Sequence, residues 1–506
     1  MVHLYRGIRQ LGAVVTLAAL VSLQSCMDHR TPPSPLPNQI FYGLTTDNQL
    51  QQISTLSPNA PLRSFKVAVP DGEKVLAIDF RPATGQLYAV TNASKLYTIN
   101  LASDGSAGRA TLVKALSTAI NGTEVAFDFN PTVDRIRLVT NTGQNLRLHP
   151  ETGDVAAIDG TINGVSGATI TAAAYTNSRA GVTTTTLYDI DPVTDRLYKQ
   201  DPPNNGTLVP VGSLGLNVEA VGGFDISPDN SFTLASVKVE GKWEIAQVDV
   251  GNGSLKKLGD LDRELLGIAL VPQPVAYSID AVTNELLIFD PANASAVTTK
   301  AITGLQTGER VLGIDFRPAT GQLYALGSNS RIYVINTSSG AAAPVGSGAL
   351  SVALQGTDFG FDFNPVADRI RIISNTGQNL RVEPSTLVAT VDGTINPGTP
   401  SVTASAYTNN YAGATATTLY NFDTNTDILY RQVPPNDGTL VPVGPSGVDA
   451  LGNNGFDIGG TTGMAYAILQ SGGSTLLYKV DLTTGKATQV SAPLKSARGF
   501  ALGLGF

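Results

Sequence analysis

Six aspartates stand in two matching sets of three. Asp79, Asp128 and Asp225 sit in DFRP, DFNP and DISP, and Asp315, Asp362 and Asp457 return in DFRP, DFNP and DIGG. Carboxylates held close together can divide the work of glycoside hydrolysis, one as acid and the other as base or nucleophile. An aspartate just ahead of a turn can equally accept hydrogen bonds from the turn's N–H groups or pair with an arginine. The second role is the expected one. An enzyme with two copies should keep one intact acid/base pair and one degenerate copy, and here both sets are complete.

Arginines form the next constellation. Arg135 and Arg137 lie two apart on one strand, so they share a face, and Arg369 and Arg371 repeat them. They could make a fork for a carboxylate or phosphate ligand. The repeated aspartates offer nearer partners, so pairing with Asp79 or Asp134 across adjacent units is expected. A third pattern, Asp423, Asn425 and Asp427, has the D-x-N-x-D opening of a calcium loop. Ile428 stands where such a loop needs glycine and no glutamate follows, so a strand-joining turn is expected and no metal site. The histidines are His3, His29 and His149, too few for a histidine-based zinc site. No cofactor-binding pattern is present. The single tryptophan, Trp243, has Thr475 as its counterpart, which argues against a doubled sugar-stacking platform.

The elements that position these residues come in two copies. DFRPATGQLYA occurs at 79–89 and again at 315–325, FDFNP at 127–131 and 361–365, NTGQNLR at 141–147 and 375–381. DGTIN at 159–163 and 392–396, and PPNNGTLVPVG at 202–212 with PPNDGTLVPVG at 434–444, keep the same order. Copy one spans residues 40–272 and copy two 273–506. Within each copy a shorter unit recurs: strand, turn, strand, turn, strand, loop, strand. VLAIDF, QLYAVT, KLYTINL and ATLV are one such meander. Its length matches the ~40–50-residue period of propeller blades. Asn205-Gly206 and Asp437-Gly438 read as two-residue type I′ hairpins. Each copy opens with only three strands of a blade. The missing innermost strand is supplied by LLGIALVP at 265–272 in copy one and by FALGLGF at 500–506 in copy two. A blade shared between the two ends of a copy seals a ring and removes two sheet edges. The expected fold is all-β, with tandem five-bladed β-propellers of four-stranded antiparallel blades.

The motif set GIDFRPATGQLYA, FDFNP, NTGQNLR and PPNxGTLVPVG resembles a bacterial domain family catalogued as a domain of unknown function, DUF4394. The resemblance covers both copies. It implies an exported, propeller-like protein and carries over no catalytic residue.

Residues 1–25 look like a lipoprotein signal peptide. Arg6 and Arg9 precede the apolar run LGAVVTLAALVSL, which is too short to span a bilayer. Leu23, Ser25 and Cys26 follow the pattern in which cleavage frees the cysteine for lipidation. Cys26 is the sole cysteine, so no intrachain disulfide can form. Residues 26–39 continue as a proline-rich spacer, TPPSPLPN. The expected location is the bacterial envelope, with the chain held to a membrane, the outer one by preference, through its lipid. The formal net charge of −8, with no basic cluster, argues against nucleic acid as a partner. A binding or scaffolding module with a protein or glycan ligand is the expected function. A carboxylate-based glycoside hydrolase or lyase is the alternative.

Overall fold

The alternation of short strands and turns folds into ten four-stranded antiparallel sheets in the computed structural model, which describes residues 29, 31–491 and 494–506. Among the described residues there is no α-helix, and the 3-10 turns are Pro203–Asn205 and Pro435–Asp437. Five sheets belong to each half of the chain.

Four sheets of each half are simple meanders, and the fifth is shared between distant segments. Leu265–Leu270 pairs with Ile40–Thr45, placing Phe41 opposite Leu270. Ala497–Leu502 pairs with Ala276–Asp280 in the same way, Ala276 opposite Leu502. In the first half the innermost strands are Leu265–Leu270, Val75–Phe80, Val125–Asn130, Ala172–Tyr175 and Ala220–Ile226. Each of these neighbours the next, and the last returns to the first. The second half does the same with Ala497–Leu502, Val311–Arg317, Phe359–Asn364, Val402–Tyr407 and Gly455–Ile458. These are two five-bladed propellers.

The core of each propeller lies between blades rather than within one. Successive side chains of a strand point to opposite faces, and in a blade both faces are covered. Ile78 and Phe80 pack with Tyr42 and Leu44 of the preceding blade, while Ala77 packs with Phe127 and Phe129 of the following one. That is why the inner strands read as nearly unbroken apolar runs. Five strands can converge on one axis only if the backbones come close. A Cβ on Gly222 would stand 1.7 Å from the Leu265 carbonyl oxygen, and one on Gly360 would stand 2.0 Å from Ser405 Oγ.

One local expectation fails. Asn205-Gly206 and Asp437-Gly438 do not form two-residue type I′ hairpins. The strand Arg196–Gln200 is joined to Leu208–Ser213 through the 3-10 turn Pro203–Asn205, capped by Gly206 at φ 68°. The reason is a neighbour. The Gly160 N–H donates to the Asn204 carbonyl, the Asn163 N–H to that of Gly206, and a Cβ on Gly206 would lie 2.3 Å from the Gly160 oxygen. The turn is shaped to receive the DGTIN segment of the preceding blade.

Candidate functional site: axial aspartates, interblade arginines and a junction cleft

The six repeated aspartates come together as two triads. Carboxylate oxygens of Asp79, Asp128 and Asp225 lie within 4.8 Å of one another, and those of Asp315, Asp362 and Asp457 do likewise. All six side chains are buried. Each projects from one inner strand and holds the next. Asp79 Oδ2 accepts the Phe129 N–H at 2.8 Å, Asp128 Oδ1 that of Tyr175 at 3.0 Å, and Asp225 Oδ2 that of Leu270 at 2.6 Å. The second propeller repeats these bonds through Phe363, Tyr407 and Leu502, at 2.7, 2.9 and 2.6 Å. The aspartates therefore staple blade to blade. Neither the turn N–H groups nor an arginine is their partner, which corrects the sequence expectation. Burial raises all six carboxyls above the ordinary carboxylate range. Asp225 adds to the rise at Asp79, and Asp79 and Asp225 add to it at Asp128. Asp225 and Asp457 are each raised by burial to about 7.

The arginines do join blades, but through partners the sequence did not suggest. Buried Arg137 donates to Asn145 Oδ1 at 2.7 Å, Asp159 Oδ2 at 2.6 Å, Asn204 Oδ1 at 2.7 Å and the Tyr175 hydroxyl at 3.3 Å. Arg371 makes the same four contacts with Asn379, Asp392, Asn436 and Tyr407. Arg147 and Arg381 close on the same carboxylates from outside. Arg135 and Arg369 instead turn back onto backbone carbonyls of their own turns, and Arg369 also pairs with Glu383 at 2.6 Å. A cavity of about 210 Å³ adjoins Arg369, Arg371 and Arg381, yet each of the three already has a carboxylate partner. Asp134, the expected partner of these arginines, pairs with Arg81.

Asp159, Asn145 and Asn204 were missed as partners. The signal was there: each lies inside a motif that both copies repeat, and those motifs converge on one buried guanidinium. Asp423, Asn425 and Asp427 form the turn between Leu419–Asp423 and Ile428–Gln432. Asp423 accepts the N–H groups of Ser401 and Asn425 at 2.8 and 3.0 Å, and Asp427 that of Ala450 at 3.0 Å. The Asn425 amide nitrogen is spent on the Thr399 carbonyl. Cys26 lies outside the described residues.

A cleft opens where the two propellers meet. Its volume is about 720 Å³, and it is lined by loop residues 177 and 179–184 of the first propeller and by strand residues such as Asp290, Asn293, Ser295 and Thr298 of the second. Arg179 stands in this cleft and in an adjoining one of about 630 Å³. It is exposed and has no carboxylate partner among the described residues. Asp290, across from it, accepts the Gln273 amide at 2.9 Å. The matching loop of the second propeller, TNNYAG against TNSRAG, has Tyr411 at this position, and Tyr411 is closed against the first propeller through Asp104. The two loops correspond in sequence, but Tyr411 is bonded across to the other propeller, whereas Arg179 stays exposed beside Ala180, which packs on the core of the second propeller.

Two closed five-bladed rings on one chain define a tandem β-propeller protein with paired axial carboxylate clusters. The chain belongs to the family described as a domain of unknown function (DUF4394), whose model matches residues 42–269 and 284–501, one match in each propeller. No curated protein matches the sequence. Among solved structures, the extracellular domain of a protein described as a one-component system from B. thetaiotaomicron is similar over 89% of this chain, with 13% identity and a TM-score of 0.25. That of one described as a hybrid two-component system from the same organism is similar over 90%, with 12% identity and a TM-score of 0.26. This chain spans 59% and 66% of their respective lengths.

Proposed function

We propose that the protein is an exported, lipid-anchored binding module and that the cleft between its propellers takes an acidic oligosaccharide. The observation that carries this is Arg179, an uncommitted guanidinium in a cleft of about 720 Å³. That volume is within the ~300–1,000 Å³ usual for small-molecule sites. The lining of Asn177, Thr183, Asn293 and Ser295 supplies amides and hydroxyls for a hydroxyl-rich ligand, and the guanidinium suits a uronic acid carboxylate. Export and anchoring rest on Arg6, Arg9, the apolar run and Cys26.

The hydrolase alternative loses its best candidates. The axial carboxylates are committed to backbone N–H groups, and the cavity on the first propeller's axis is about 20 Å³. That is room for about one water, far short of a sugar ring.

Calorimetric titration with uronic-acid oligosaccharides and with neutral ones of equal length tests the cleft. Binding of the acidic series, lost in Arg179→Ala, is expected; equal binding of both series, or of neither, would refute it. Metabolic labelling with a lipid precursor tests the anchor. Wild type should be labelled and Cys26→Ser should not.

A further inference from the structure

The interblade arginines close on carboxylates, Arg137 on Asp159 and Arg371 on Asp392. Arg310 and Arg498 do not. Arg310 stands just ahead of the inner strand Val311–Arg317, and Arg498 is the second residue of the neighbouring inner strand, Ala497–Leu502. These strands pass so closely that a Cβ on Gly499 would lie 3.0 Å from Gly313 Cα. Nη2 of Arg310 and Nη2 of Arg498, the latter at 2.8 Å, donate to one and the same acceptor, the Ala281 carbonyl oxygen. Two cations thus converge on a single neutral oxygen. The acidic groups that face Arg498 are Asp280 and Asp358, and both are engaged elsewhere. Asp280 Oδ1 accepts the N–H groups of Val282 and Thr283 at 2.8 and 3.0 Å, and Asp358 Oδ1 that of Asn453 at 2.8 Å. Among the described residues neither arginine forms an ion pair, and Arg498 Nε has no partner of any kind. Burial and the adjacent Arg310 together hold the Arg498 guanidinium below the usual arginine range.

The first propeller supplies an independent comparison. Its closing strand enters through DRELLG at 262–267, where the second propeller has LKSARG at 494–499. Asp262 and Glu264 are replaced by Leu494 and Ser496, and Leu266 by Arg498. Two carboxylates are lost and one guanidinium is gained, at the same mouth and in one copy only. Lys495 and Ser496 are exposed beside the pair, and so is Arg310. The site is remote from the junction. Val311–Arg317 leads away from Arg310 to the turn whose Gly321 meets Arg81, and Ala497–Leu502 leads to Gly505, which meets Thr84. A strand of this length separates the two ends by about 20 Å.

We propose that this outer mouth of the second propeller binds a tetrahedral dianion, a sulfate or phosphate group, between Arg310 and Arg498. Each guanidinium carries five N–H donors, and only one nitrogen of each is bonded to protein. The planar forks suit bidentate contact with an oxyanion. Two forks side by side match a group with two charges and oxygens on more than one edge, whereas a carboxylate fills one fork. The bound anion would also relieve the repulsion within the arginine pair. This site is separate from the junction cleft and its Arg179.

The experiment uses the full chain and calorimetric titration at constant ionic strength with sodium sulfate, phosphate and acetate. Sulfate and phosphate should bind at one site per chain, and acetate much more weakly. Arg498→Leu, which installs the residue found at the counterpart position 266, should weaken sulfate binding at least about tenfold, the scale of one lost charge-assisted hydrogen bond. Arg310→Gln should do the same, and Arg179→Ala should change nothing. Melting curves separate a binding loss from a folding defect. Without anion, Arg498→Leu should melt no lower than wild type, and added sulfate should raise the melting temperature of wild type alone. Glucose 6-sulfate and glucose 6-phosphate, titrated beside the free ions, distinguish a sugar-borne group, which would bind more tightly, from the ion itself, which would bind equally. Wild type that binds neither sulfate nor phosphate would overturn the proposal. So would acetate binding as tight as sulfate, affinity unmoved by both Arg498→Leu and Arg310→Gln, or affinity abolished by Arg179→Ala.

Discussion

Arg81 of the first propeller donates from Nη1 to the carbonyl oxygen of Gly321 in the second, at 3.0 Å. The two residues belong to the two copies of one stretch, DFRPATGQLYA, so the repeated segment meets itself across the junction. Around this contact the Tyr277 hydroxyl donates to the Ala83 carbonyl and the Gly505 N–H to that of Thr84, both at 2.8 Å. Identical sequence has been put to unequal use. Arg81 is wholly buried and bound to Asp134 and Glu151, while Arg317 keeps some exposure and pairs with Asp368 alone.

This inequality predicts unequal losses. Arg81→Ala would leave two acidic side chains in a buried junction without their cation, which typically costs about 3–5 kcal/mol. Arg317→Ala should cost well under half as much, because water can reach Asp368. Urea unfolding of the two variants compares them directly. Equal midpoint shifts would mean that the junction adds nothing to the arginine's role.

Asp79 tests the stapling role of the axial carboxylates. Asp79→Ala leaves the Phe129 N–H, and that of Phe80, without an acceptor, at a cost of about 1–3 kcal/mol. Asp79→Asn retains one oxygen and should recover part of that loss. Thermal unfolding reads both effects. If melting were unchanged while a polysaccharide-cleaving activity disappeared, the aspartate would be catalytic instead.

Asp189 predicts a pH dependence. Its carboxylate is fully buried, neither oxygen has a partner, and burial raises it from 3.8 to about 8. The folded chain thus keeps a proton that the unfolded chain releases between those two values. Its contribution to stability is full below the unfolded value and is lost progressively as pH rises toward the folded one. The second propeller has Asn421 here, whose Nδ2 donates to Gln432 Oε1 at 2.7 Å, whereas Gln200 Oε1 in the first has no partner. Asp189→Asn should therefore raise the melting temperature, with the gain over wild type widening from pH 5 to pH 8. A gap that stays constant with pH would show that Asp189 does not titrate in this range.

How far sequence could reach depended on whether an interaction was local. The blade unit and the shared closing blade were legible, because strand patterns and repeat offsets are properties of the chain itself. The partners were not. Asp79 finds its donor in Phe129 and Arg137 finds Asn204, in each case on the next blade, and no spacing rule encodes which backbone group a neighbouring blade presents. The Asn205-Gly206 turn was misjudged for the same reason, since its shape answers to Gly160. Arg179 was visible only as a difference from Tyr411, and that difference gains meaning once the bonded Tyr411 and the exposed Arg179 are seen together.

Sealing each ring with a late strand also governs how the chain acquires its fold. Ile40–Thr45 must wait for Leu265–Leu270, about 230 residues downstream, before its inner edge is covered. Until then an incomplete ring presents unpaired backbone to any other strand in reach. Contacts so distant in sequence make for slow folding, and a nascent chain of this design should depend on a holding chaperone for longer than an all-local fold of the same size.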